Sequence, residues 1–141
     1  MPVIDLIDET FIAAAPSVGA AVVHDQARWQ QWWPDLTLTV FMDRGDSGIR
    51  WSAQGSSVGS CELWLEAAQG GVIVHHYLRL DPVDRRTGQI QAEPLDAAGW
   101  RRAARLRAAR ARRWKLQVWA LKDELEAGRR PGTPPGDTVG S

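Results

Sequence analysis

Two side chains in this sequence could do chemistry from within an apolar setting, His76 and Arg107. Residues 72–80 read Val-Ile-Val-His-His-Tyr-Leu-Arg-Leu, and strand alternation puts His76 with Val74, Leu78 and Leu80 on one face. His75, Tyr77 and Arg79 take the other. A neutral imidazole so placed can orient a ligand carbonyl or exchange a proton, because its pKa lies near working pH. The plainer use is a core histidine bonded to a neighbouring group. Arg107 lies in a helical stretch, where a step of about 100° per residue brings it into the arc of Trp100, Ala104 and Ala111. A guanidinium aimed inward suits a ligand carboxylate or phenolate. It could instead lay its stem on apolar surface with its head in water, or pair with an internal acid such as Asp5 or Glu9.

Other chemistries find no pattern. His75 and His76 point to opposite faces and His24 is distant, so no metal site is expected. Ser56, Ser57 and Ser60 have no assigned base, and there is no nucleophile elbow, phosphate loop or dinucleotide fingerprint. No cofactor is therefore expected. The lone Cys61 cannot staple the fold, and its apolar flanks make it inert rather than reactive.

The elements that must position these groups are short strands followed by one long helix. Val3 to Ala13 begins as a strand and leads to Pro16. Ser17 to Val23 and Asp25 to Trp33 read as two short helices, the second capped by Asp25 and stopped at Pro34. Leu36 to Met42 alternates as a strand, 43–48 turns, and Ile49 to Gln54 returns. Val58 to Ala67 and Val72 to Leu80 make a second hairpin, and a polar connection runs from Asp81 to Leu95. From Asp96 to Ala127 the pattern is helical and about 45 Å long, with Trp100, Ala104, Ala108, Ala111, Trp114, Val118, Leu121 and Leu125 on one face.

That stripe is graded, alanine in its first half and large residues in its second. Large residues close a core, whereas alanines leave room over a sheet. The expected cavity is lined by Trp51, Cys61, Leu63 and His76 from the sheet and by Ala104, Arg107, Ala108 and Ala111 from the helix. Aromatics and aliphatics with a few polar groups are what small apolar ligands need. The eight tryptophans supply large buried area, and Trp29, Trp32 and Trp33 cluster beside the second short helix.

Length and charge bound the class. The 141 residues, 44% apolar, fit one domain over 1–128 followed by a disordered tail at 129–141, too rich in Gly and Pro to fold. No apolar run approaches the ~20 residues of a membrane span, and the early acids argue against a signal peptide, so a cytoplasmic protein is expected. Net charge is zero, yet residues 1–66 hold nine acids and three arginines while 95–130 hold four acids and eleven basic residues. A basic helix on a mildly acidic body could dock to an acidic partner or a membrane surface. Overall neutrality and the lack of a recognition motif argue against nucleic acid.

Together, Ala13-Ala-Ala-Pro-Ser17, Trp29-Gln-Gln-Trp-Trp-Pro34, Ile49-Arg-Trp51, Gly59-Ser-Cys-Glu-Leu-Trp-Leu-Glu66, Gly70 to Leu80 and the basic last helix resemble the START-like (SRPBCC) superfamily, in particular actinobacterial polyketide cyclase/dehydrase-type proteins. The resemblance implies an α+β helix-grip fold, a curved antiparallel sheet wrapped on a long C-terminal helix. The strands counted here fall one hairpin short of the usual set, which implies a smaller or more open cavity. The exposed edge so left could pair with a second copy to give a homodimer.

Three functions fit these readings. One is binding or carriage of a small hydrophobic or aromatic ligand, lipid or polyketide-like, between sheet and helix. Another is an aromatase/cyclase-like enzyme in which His76 or Arg107 moves protons. The third is an interaction module that uses the basic helix face on an acidic protein.

Overall fold

Alternation with period two and a stripe with period near 3.6 leave one economical arrangement, a sheet with a helix laid on its apolar face. The computed structural model describes residues 2–91, 94 and 96–126 and has this form. Strand β1 (Ile4–Ile12) is followed by helices α1 (Pro16–Val23) and α2 (Gln26–Trp32), then by strands β2 (Leu36–Asp43), β3 (Gly48–Gly55), β4 (Ser57–Ala68) and β5 (Gly71–Pro82), and by helix α3 (Ala97–Glu126). The five strands form one antiparallel sheet in the order β1-β5-β4-β3-β2, so the chain's first strand returns to pair with its last. This is the α+β helix-grip architecture, with the five strands and long C-terminal helix that the sequence predicts. The tail at 129–141 lies outside the described residues. No helix among them is long and apolar enough to cross a membrane.

Register fixes which residues meet under the helix. Leu6, Leu78, Cys61, Trp51 and Val40 form one row across the sheet, and Asp8, His76, Leu63 and Ile49 form the next. The pairing of β3 with β4 and of β4 with β5 requires glycine at specific points. Gly48 (φ 119°) and Gly59 (φ 153°) hold backbone that other residues rarely adopt, and a Cβ on them would collide with the carbonyl oxygens of Leu63 and Arg79. At the far edge, β2 carries a bulge between Val40 and Met42, and the extra residue, Phe41, is 64% exposed with Arg50 stacked 5.2 Å from its ring.

The short helices begin and end for local reasons. The Asp25 carboxylate accepts from the Ala27 N–H at 3.1 Å and starts α2, and Pro34 follows its end. Pro16 opens α1, where its missing N–H costs nothing. Together they drop Trp29, Trp32 and Trp33 into the space beneath α3. Trp33 stacks on Trp114 (5.6 Å, 6° between planes), Trp51 meets Trp29 edge-on at 5.0 Å, and His76 lies 4.4 Å from Trp114. The centre of the molecule is thus filled by tryptophan.

Helix α3 grips with one half only. Trp114, Val118 and Leu121 are buried against the sheet, and polar ties flank them. Lys115 reaches Asp8 (2.7 Å) and Thr10 (3.1 Å), Lys122 donates to the Phe11 carbonyl (2.8 Å), and Arg28 of α2 pairs with Glu124 (2.6 Å). The Glu126 carboxylate accepts from the Ala13 N–H at 2.9 Å. In the other half, Gly99 and Ala103 are the buried residues, and the expected inward stripe is corrected: Trp100, Ala104, Arg107, Ala108 and Ala111 are exposed. The reason is steric and electrostatic. Methyl groups cannot span a gap set by Trp114, and burying Arg107 without a counter-charge would cost several kcal/mol, roughly.

Candidate ligand site at the junction of sheet and helix

The cavity lies under the start of α3 rather than under its middle. Val3 donates its N–H to the Asp81 carboxylate (2.9 Å), which pins the head of β1 beside the end of β5. The chain leaving β5 then folds back on itself: Asp84 accepts at its carboxylate from Arg86 and Thr87, and Gln91 donates its N–H to the Pro82 carbonyl at 2.7 Å. The Asp96 carboxylate accepts from the Gly99 N–H at 2.7 Å and starts the helix. Gly99 sits so close to Pro94 that a Cβ would approach the proline ring at 2.8 Å. What remains between these parts is a half-open cavity of about 320 Å³.

Its floor is Val3 and Pro82, its helix wall Gly99, Ala103 and Leu106, and Pro94 closes one side. Gln91, Asp96 and Arg102 supply the polar groups. The lining is mixed, at least as polar as it is apolar, which suits a small amphipathic molecule, and the volume falls at the small end of the range for such sites, ~300–1,000 Å³. Arg102 and the Gln91 amide can meet an oxygen-bearing head group. Asp96 is committed to capping the helix.

The residues expected to line a cavity are split. Trp51, Cys61 and Leu63 are wholly buried and His76 is 1% exposed, all within the core, where they pack on protein rather than on open space. None of them lines the cavity under α3 or the three surface clefts beside Tyr77, Gln30 and Ala21. Burial pushes the Cys61 thiol well above its ordinary pKa, so it stays protonated. His76 Nδ1 lies 3.2 Å from the Glu62 carbonyl; a carbonyl only accepts, so Nδ1 carries the hydrogen and Nε2 is a bare lone pair with no partner among the described residues. Burial lowers its pKa from 6.5 to about 4. Ala104, Arg107, Ala108 and Ala111 face water.

The inward arginine is Arg110. Its guanidinium binds Asp35 through both terminal nitrogens, one at 3.0 Å, and Ser56 donates a short hydrogen bond to the same carboxylate. Burial alone would raise the Asp35 carboxyl, but the bonds from Arg110 and Ser56 outweigh it and hold the pKa below its ordinary value. This tie joins mid-helix to the corner where β3 turns into β4. Asp8 is the other group missed. It faces the helix between Leu6 and Thr10 and accepts from Trp114 Nε1 (3.2 Å) and Thr10 (3.0 Å) besides Lys115. An acid on the apolar face of a strand was the available signal, since such a residue demands partners. Among the described residues no group of three or more His, Cys, Asp or Glu is arranged to hold a metal ion.

Comparison with known proteins supports the architecture. No family model matches the chain, and no curated protein matches it. Among solved structures, the protein DR_A0006 from Deinococcus radiodurans superposes with a TM-score of 0.60 at 12% identity, over 89% of this chain and 99% of that one. The Aha1 dimer from Colwellia psychrerythraea superposes with 0.55 at 14%, over 90% and 99%. A START superfamily protein from Mycobacterium smegmatis aligns with 0.44 at 12%, over 87% and 97%. At such identities what is common with the first two is the fold, a five-stranded antiparallel sheet with a long C-terminal helix.

Proposed function

We propose that this protein binds a small, mainly apolar molecule in the cavity between the sheet end and the first turns of α3, as a binder or carrier. The observation that carries the reading is the 320 Å³ space itself, walled by Val3, Pro82, Ala103 and Leu106. Arg102 and Gln91 at its mouth favour a ligand with one oxygen-bearing end, such as a short fatty acid or a phenolic compound. The START-like fold supports the same class of function. Contact with Trp51, Cys61, Leu63 or His76 would require the tryptophan stack to part.

Native mass spectrometry with organic extraction, on protein purified from its own host, tests the reading. An apolar compound that co-purifies, and that Leu106→Trp releases by filling the cavity, would support it. A clean apo mass, with no thermal stabilisation by a panel of fatty acids and aromatic polyketides, would overturn it.

A further inference from the structure

Between Ala97 and Lys122 the helix carries nine basic residues and no acid. Three are committed to the body: Arg110 to Asp35, Lys115 to Asp8 and Lys122 to the Phe11 carbonyl. The other six, Arg101, Arg102, Arg105, Arg107, Arg112 and Arg113, are exposed and make no ion pair with any described residue. Elsewhere Arg28, Arg44 and Arg79 pair with Glu124, Glu62 and Asp5 while Arg50, Arg85 and Arg86 make no ion pair with a described residue, so what sets α3 apart is six such groups on one helix. The line of α3 that points away from the sheet runs through Arg101, Arg105, Arg112, Leu116 and Trp119, about 27 Å at ~1.5 Å per residue. Leu116 and Trp119 stand 62% and 52% exposed on it.

We propose that this outer face docks the protein onto an anionic lipid surface, with α3 lying flat in the headgroup layer. Unpaired guanidinium groups gain there from phosphate, while Leu116 and Trp119 enter the acyl boundary, the position amphipathic indole favours. Duplex nucleic acid would satisfy the arginines but would leave Leu116 and Trp119 against charged backbone. A helix whose outer face is exposed from Arg101 to Trp119 can also lie along a planar surface. The sheet's far face balances its acids with arginines, Asp5 with Arg79 and Glu62 with Arg44, so the excess positive charge lies on α3 and sets the orientation as well as the attraction. The inference stands independently of the cavity.

Co-sedimentation of the full chain with vesicles of equal parts phosphatidylglycerol and phosphatidylcholine, against phosphatidylcholine alone, tests it. Binding should favour the anionic vesicles by about tenfold or more and weaken as salt rises. The triple variant Arg101→Glu, Arg105→Glu, Arg112→Glu, none of which lines the cavity, should abolish that preference while circular dichroism stays native. Leu116→Ser with Trp119→Ser should lower anionic-vesicle binding about tenfold and leave its salt dependence in place. Equal partition onto both vesicles, or full binding by the triple glutamate variant, would overturn the proposal. So would an acidic polypeptide or oligonucleotide that outcompetes the vesicles and ignores the Leu116/Trp119 changes.

Discussion

The two halves of α3 share one helix and one sequence style, yet they do different physical work. From Arg110 onward nearly every turn sends a side chain to the body, through Trp114, Val118 and Leu121 in the core and through Arg110, Lys115, Lys122 and Glu124 at its rim. From Arg101 to Ala109 no side chain makes a hydrogen bond or ion pair with another described residue. The first half is held by the Asp96 cap, by the close fit of Gly99 on Pro94 and by its continuity with the second. Helix formation is cooperative, so a well-packed half can carry a poorly packed one. That frees the first half to wall a cavity on one side and to present charge on the other.

The contrast breaks most directly at Trp114. Trp114→Ala removes the stack on Trp33 and His76 and the bond to Asp8, and should cost about 4 kcal/mol by urea unfolding. Trp100→Ala, the matching change in the first half, should cost within about 0.5 kcal/mol because Trp100 is 52% exposed. Comparable losses at both sites would remove the distinction.

The next effect is in pH. His76 is held neutral, with its pKa lowered from 6.5 to about 4, so below pH 6.5 the unfolded chain binds a proton that the folded protein refuses. Its contribution is present above pH 6.5 and is lost as pH falls to about 4, roughly 3 kcal/mol over that window. Unfolding curves across the window should flatten by that amount in His76→Leu, which has no proton to gain. An unchanged slope would place the acid sensitivity elsewhere.

Arg110→Ala should come third, at about 2 kcal/mol, because it strips Asp35 of its bidentate partner at a partly exposed site. It should also quicken amide exchange in residues 97–109 relative to 114–121, since the tie marks the boundary between the halves. The smallest effect belongs to Arg107→Ala, within about 0.5 kcal/mol in stability. A larger loss would mean that Arg107 has a partner after all.

Order of elements and strand faces were legible in the sequence, because each is written in local periodicity and turn chemistry. The alternation of β1, β4 and β5 placed Leu63, Cys61 and His76 inward, and burial agrees. What was not legible was the helix's rotation over its first turns. Trp100, Ala104 and Ala111 differ by one residue step from the line of Gly99, Ala103 and Arg110, and the choice depends on Asp35 and Ser56, which are remote in sequence. The cavity was hidden for a related reason. Volume is what side chains leave over, and three tryptophans from the α2 region fill the space between Trp51 on the sheet and Trp114 on the helix. The walls that do enclose space come from the polar connection after β5, whose composition announces only a loop.

Ending the sheet at β2 has a further consequence there. Residues 36–42 form an uncharged run, Leu-Thr-Leu-Thr-Val-Phe-Met, along an edge whose outer hydrogen-bonding groups have no strand beside them in the sheet. Such a run is a template for aggregation when two copies meet in register. The bulge at Phe41 spoils that register, for it adds a residue that a second straight strand could not match, and Arg50 over its ring puts a charge at the same spot. Colloidal behaviour at high concentration thus hangs on one extra residue: deleting Phe41 would straighten the edge and turn a guarded strand into a sticky one.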